Sequence, residues 1–324
     1  MILSPDEVTA TTAKWCELGS TLNATILANT VLLRSADNRF TGSAVLFFQD
    51  GAGTACVITA KHNLYVLAGL SAPGISKPSD LSADFQSKVS LFYGPTAMAK
   101  RPTTTAAITA IAFPGGGGST WTYDVMVLST EDEAFVTFVK TNAILKTQAN
   151  AQSLLGLLKV PTTGKTEVPA LVKKKYDYVQ TGFGAGKDPA VVATDGYTNH
   201  IDTCQCRFPE PANANTATVY DLDLANPKGW PKSPTLGSVA LLTGDNTNST
   251  GQGDSGGPLF ALTPKRTDKV KPDTAWPVGV TLGANFYTST SFSPKTAPTN
   301  ARIDNTAVTW LDTVVKEYIN SIPR

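Results

Sequence analysis

Gly253-Asp254-Ser255-Gly256-Gly257-Pro258-Leu259-Phe260 sets a serine among glycines at the head of an apolar run. Glycine permits the tight backbone that turns a chain sharply and aims successive N–H groups into one concavity. A nucleophilic serine needs that setting: a presented hydroxyl, with N–H groups facing the charge that builds on an attacked carbonyl oxygen. The same residues also suit a plain loop, so the meaning of the stretch depends on what the rest of the chain supplies.

Only two histidines occur in 324 residues, and His62 follows the apolar segment 55–60. An imidazole at a strand end, with a reference pKa of about 6.5, can take a serine proton near neutrality. Between the two in chain order, Asp124 opens the apolar run Val125-Met126-Val127-Leu128, where a carboxylate can orient an imidazole. Taken singly, a histidine at a strand end is more often structural, and a strand-initial aspartate is more often a turn former.

Taken together, the order His62, Asp124, Ser255 and the residues around each resemble the trypsin/chymotrypsin-like serine protease family. Ile58-Thr59-Ala60-Lys61-His62 is similar to the family's histidine motif, with Lys61 where a second alanine is usual. Tyr123-Asp124-Val125-Met126-Val127-Leu128 resembles its aspartate motif, and residues 253–259 match its serine motif without a departure. Thr181-Gly182-Phe183-Gly184 resembles the T-G-W-G segment with Phe for Trp, and Val278-Gly279-Val280-Thr281-Leu282-Gly283 resembles the strand that binds substrate.

The resemblance implies an all-β fold of two six-stranded antiparallel β-barrels closed by a C-terminal helix. It implies a serine endopeptidase: Ser255 attacks, His62 moves the proton, Asp124 holds the imidazole, and the N–H groups of Gly253 and Ser255 form the oxyanion hole. Protein or peptide substrates, or a protein protease inhibitor, are the implied partners, with no cofactor and no metal. By the same resemblance Ser249, Thr250, Gly251 and Gln252 form one side of the substrate pocket, and Thr281, Leu282 and Gly283 the other. None of these is acidic, so a basic substrate side chain would be buried without a partner; neutral or apolar residues are the expected preference. Lys295, if it points inward, would instead recruit an acidic residue. Asp254 stabilises the loop by pairing, in the family, with a cation that is often a newly released amino terminus. No I-V-G-G-like start stands near residue 20, so a divergent new terminus, an internal Lys or Arg, or hydrogen bonding has to serve here. A catalytically silent protease-like binding protein, or a domain used for surface attachment, are the alternatives from other classes.

Composition fits a secreted or extracellular enzyme. The chain is 41% apolar with a net charge of +1, which excludes disorder and gives no reason to expect a nucleic-acid partner. No apolar run reaches the 18 or more residues of a membrane span, and residues 1–6 lack the basic-then-apolar pattern of a secretory leader. The four cysteines Cys16, Cys56, Cys204 and Cys206 allow three complete pairings, and the sequence does not choose among them. The disulfide that many relatives place beside the histidine is absent in its familiar form, because the neighbour here is Asn63. A zinc site would need these scattered cysteines to converge, with His200 as the spare histidine.

Short apolar segments separated by turn formers predict strands at 25–33, 43–48, 56–59, 63–68, 88–93, 106–113, 124–128 and 176–181. Others follow at 217–222, 238–242, 258–262 and 278–282. A helix is expected within 134–157, and the helical spacing of Val308, Leu311, Val315, Tyr318 and Ile319 predicts one over 307–319. The domain reading is an N-terminal extension (1–19), a first barrel (20–135), a crossover with insertion (136–169), a second barrel (170–305) and a C-terminal helix and tail (306–324). The spacings between the three polar residues are wide for the family, which puts added length in loops, where it is tolerated.

Overall fold

The computed structural model describes residues 18–37, 41–63, 85–94, 103–113, 125–147, 177–183, 205–207, 239–243, 253–284 and 305–310. Within them the chain is mostly β, with two antiparallel sheets and few helices. The first sheet contains β1 (Thr30–Ser35), β2 (Thr41–Gln49), β3 (Thr54–Thr59), β4 (Val89–Tyr93), β5 (Thr104–Ala107), β6 (Ala110–Ala112) and β7 (Met126–Ser129), in the order β5-β4-β1-β2-β3-β7-β6. The second contains β8 (Asp177–Gly182), β9 (Gln205–Arg207), β10 (Val239–Thr243), β11 (Pro258–Thr263), β12 (Thr274–Ala284) and β13 (Asn305–Trp310), in the order β10-β13-β12-β11-β8-β9. The helices are α1 (Ser20–Ala28), the single turn α2 (Phe85–Lys88) and α3 (Glu133–Asn142). Among the described residues no helix is long and apolar enough to cross a membrane.

The first sheet curls on itself. β5 and β6 stand at opposite ends of its strand order, yet only Ile108 and Thr109 separate them in the chain. Two linking residues span roughly 11 Å at full extension, so the ends of the sheet must approach each other. Ile108 is buried inside the curl, and Thr109 N–H donates to Ser129 O on β7 at 2.8 Å. The single strand expected over 106–113 is therefore bent, pairing with β4 before the bend and with β7 after it. This bend makes the first sheet seven-stranded where six strands were expected.

Side-chain alternation then distributes two cores. On β1, Val31 and Leu33 enter the core of the first sheet with Ala44, Leu46 and Phe48 of β2, while Leu32 faces the other way. Leu32 joins a second core with α1 and with Val179, Phe260, Leu262 and Ala275 of the second sheet. A strand covered on both faces carries no polar alternation, and residues 30–33 show none.

Two sequence expectations are corrected here. Residues 25–28 are helical, not the start of a strand: Leu18, Leu22 and Ile26 recur every four residues and all face the second core. Asn29 ends the helix and starts the sheet. Its amide donates to Thr25 O and Asn142 O, its Oδ1 accepts from Ile144 N, and its own carbonyl accepts from Leu46 N. The C-terminal helix does not begin at 307 either, because Asn305–Trp310 is β13, hydrogen-bonded to β10 on one side and β12 on the other. Val308, Thr309 and Trp310 are strand-favouring residue types; Val308 and Thr309 are paired on both sides and Trp310 with β12. Of the strand expected at 63–68, Asn63 lies in a turn after β3 and residues 64–68 lie outside the described residues, as do residues 311–319 and the strand expected at 217–222.

α3 is the helix expected within 134–157. Asp132 caps it, its Oδ1 accepting from Phe135 N at 2.8 Å, with Glu133 in the first turn and Lys140 in the last, both favourable to the helix dipole. Phe135 and Val139 bury against the first sheet, where the Phe135 ring meets Tyr93 edge-on at 4.7 Å. Burial, reinforced by the charge of Asp132, raises the Tyr93 phenol above its ordinary value. Replacing Asp132 with alanine should destabilise the protein by about 1 kcal/mol through loss of the cap. A denaturant midpoint unchanged from the unsubstituted protein would contradict this.

Candidate active site

Ser255 lies in a turn formed by Asp254, Ser255, Gly256 and Gly257, closed by Gly257 N–H donating to Asp254 O at 2.8 Å. Gly256 takes φ +85° there, the left-handed value that the third position of a type II turn takes and that favours glycine. The half-buried Ser255 occupies the second position. The next residue pair anchors the turn to β12: Gly256 N–H donates to Thr281 O at 2.6 Å, and Thr281 N–H donates to Gly257 O at 2.9 Å.

A second turn follows β3. Ala60, Lys61, His62 and Asn63 are closed by Asn63 N–H donating to Ala60 O at 3.2 Å. His62 is half-buried in it, while Asn63 is buried. Lys61, the departure from the resembling motif, is buried with Nζ 4.4 Å from the centre of the Phe113 ring, a cation–π contact that eases its burial.

The two turns are joined by a closed ring of hydrogen bonds through β2. Ser255 O accepts from Ser43 N at 2.9 Å and from Asn63 Nδ2 at 2.8 Å. Asn63 Nδ2 also donates to Thr59 Oγ1 at 3.0 Å, and Thr59 Oγ1 donates to Ser43 O at 2.6 Å, which completes the circuit. Beside the ring, Ser43 Oγ donates to Gly253 O and accepts from Phe183 N, both at 2.8 Å. The segment carrying His62 and the segment carrying Ser255 therefore meet where the two sheets meet.

Close packing explains the glycines. A Cβ on Gly256 would overlap Ser43 O and Thr59 Oγ1 and lie 2.9 Å from Ala60 N. A Cβ on Gly182 would lie 2.5 Å from Asp254 Oδ1, so the T-G-F segment leaves room for the buried Asp254 carboxylate at the end of β8. Phe183, which stands where the resembling segment has Trp, is buried in the core shared by α1 and the second sheet.

Of the residues singled out from sequence, His62, Gly253, Asp254, Ser255 and Thr281 lie in this assembly. Thr281 is buried; its backbone holds the serine turn, and its hydroxyl accepts from Gln180 Nε2 at 2.6 Å. Leu282 and Gly283 continue β12. Asp124, Ser249, Thr250, Gly251, Gln252 and Lys295 lie outside the described residues. Ser43, Asn63 and Gln180 belong to the site and were not read as site residues, Asn63 being noted only as the neighbour of His62 that leaves the familiar disulfide without a cysteine. Each is a polar residue beside or within an apolar strand, and nothing local marks its partner. Among the described residues, no group of three or more His, Cys, Asp or Glu gathers that could hold a metal ion.

No protein-family model matches the chain, and no curated protein does. Solved structures that it resembles include AL20, a thermostable serine protease from an extremophilic microorganism, with a TM-score of 0.44 and 10% identity over 92% of this chain and 98% of that one. Another is the protease Anisep from Arthrobacter nicotinovorans, also at a TM-score of 0.44 and 10% identity, over 92% of this chain and 96% of that one.

Proposed function

We propose that the chain is a serine endopeptidase of the trypsin/chymotrypsin type, its two sheets being the walls of two barrels with the reaction in the cleft between them. The observation that supports this most is the hydrogen-bonded ring through Ser255 O, Asn63 Nδ2, Thr59 Oγ1 and the backbone of Ser43, which couples the serine motif to the histidine motif. Two motifs read from sequence as parts of one machine are thereby neighbours in space.

In this reading Ser255 Oγ attacks the peptide carbonyl carbon as its proton passes to His62, and Asp124 stabilises the imidazolium that forms. The N–H groups of Gly253 and Ser255 receive the oxyanion, one such donor contributing about 3 kcal/mol to the transition state. His62 then returns the proton to the leaving amine, and water repeats the sequence to release the acid and restore Ser255. No metal or organic cofactor enters these steps. Leu282 and Gly283, with residues 249–252, line a neutral pocket that takes an apolar or aromatic side chain, and the enzyme acts on proteins or peptides outside the cell.

A fluorophosphonate probe should label the wild-type protein and leave Ser255→Ala unlabelled; a silent binding protein would leave both unlabelled. A mixed peptide library digested by the enzyme, with Ser255→Ala as background, should show cleavage after neutral or apolar residues. Predominant cleavage after Arg or Lys would overturn the neutral pocket, and cleavage after Glu would transfer the preference to Lys295.

A further inference from the structure

We infer that Asn63 is a positioning residue that holds the nucleophile turn in register with the histidine turn, an inference that rests on Ser255 and His62 being nucleophile and base. Three observations carry it. First, the Asn63 side chain spans the two turns: Nδ2 lies 2.8 Å from Ser255 O and 3.0 Å from Thr59 Oγ1, although Asn63 and Ser255 are 192 positions apart in the chain. A backbone carbonyl only accepts, so the atom facing Ser255 O is the amide nitrogen, and the role calls for a donor. Second, Asn63 is 4% exposed, so its amide is shielded from water, and removing the donor leaves the part-buried Ser255 carbonyl with one protein partner where it had two. Third, β2 makes room for it: a Cβ on Gly42 would lie 2.8 Å from Asn63 Nδ2 and 3.0 Å from Asn63 Cγ. The amide thus stands packed against β2 immediately after the histidine, where many members of the resembling family carry half of a disulfide.

Asn63 touches neither a substrate nor a reacting atom in this scheme. It acts through the Ser255 backbone: the carbonyl it holds belongs to the residue whose hydroxyl must face the His62 imidazole. Catalytic geometry tolerates little drift, and a misplacement of about 1 Å can lower a rate roughly 100-fold. Loss of the donor should therefore lower the rate of the chemical step and leave substrate binding nearly unchanged.

The test uses the full-length protein with Asn63→Leu, which keeps volume and removes all hydrogen bonding, and Asn63→Asp assayed at pH 8, where an ionised carboxylate can only accept. Prolonged fluorophosphonate labelling of a sample of each preparation counts its competent sites, and kcat is then expressed per competent site, which removes any contribution from misfolded protein. Both variants should show kcat reduced roughly 10- to 100-fold with KM within about twofold. Wild-type kcat per site in both variants, even with a lowered melting temperature, would reduce Asn63 to a structural residue and overturn the inference while leaving the protease reading intact. Failure of the wild-type protein itself to react with the probe would instead overturn the reading on which the inference depends.

Discussion

Under the proposed mechanism Ser255→Ala leaves a folded protein whose peptidase activity has fallen by on the order of 10⁶ in kcat, the scale at which subtilisin responds to loss of its nucleophile. The fold should persist because the ring at the junction of the two sheets uses the carbonyl of Ser255 and not its hydroxyl. Alanine supplies the same carbonyl, and the turn around it is closed by Gly257 N–H and Asp254 O. His62→Ala should cost nearly as much as Ser255→Ala, and the double variant little more than either, because the two groups act in one step. Asp124→Asn should lower kcat by about 10⁴ by favouring the wrong imidazole tautomer. Steady-state kinetics on purified variants, with circular dichroism to establish the fold, measure all of these; a Ser255→Ala protein that retained wild-type kcat would end the assignment.

Gly256→Ala should fail differently, by disturbing the structure itself. The position combines a left-handed φ of +85° with a backbone approach that leaves no volume for a Cβ, since that atom would run into Ser43 O and Thr59 Oγ1. The conformation alone costs an alanine about 1 to 2 kcal/mol, and forcing a methyl group into a closed site adds about 1 to 3 kcal/mol. Relief can come only by parting the serine turn from β2 and β3, which breaks the bonds from Ser43 N and Asn63 Nδ2 to Ser255 O. The expected result is a loss of about 2 to 5 kcal/mol, a large share of the 5 to 15 kcal/mol typical of a folded domain, together with loss of fluorophosphonate reactivity in whatever fraction remains folded. Chemical denaturation of both proteins gives the difference directly, and a variant within about 0.5 kcal/mol of wild type would show that the turn is not packed as described.

The glycines of the serine stretch were legible because the need for them is local: a sharp turn and a close approach leave few other residue types to choose from. The strands were legible as short apolar segments between turn formers, and on β4 one side chain in two is buried. The bend at Ile108-Thr109 was not, since an apolar run reads the same whether straight or folded across the seam of a curled sheet. Residues 25–28 were assigned to a strand because Ile26-Leu27-Ala28 and Val31-Leu32-Leu33 read as one largely apolar run across Asn29 and Thr30; only packing against Phe260 and Leu262, far away in sequence, shows which part coils. At the other end, helical spacing at 308, 311 and 315 extended a helix over residues that β10 and β12 hold as a strand. Ser43 and Asn63 stayed hidden for a related reason. Their partners lie 210 and 192 positions away, and a polar side chain in a strand or turn looks alike whether it meets solvent or the backbone of a distant segment.

The clasp between the histidine and serine turns is built from amide, hydroxyl and backbone groups, with no sulfur in its circuit. An enzyme that fixes this junction with a disulfide ties its alignment to the redox state of its surroundings, because a thiol pool of sufficiently low potential can open the bond. Asn63 offers a thiol nothing to attack. The hydrogen bonds that set the register between the two turns thus include no bond that thiol–disulfide exchange can open or that an oxidant has to make.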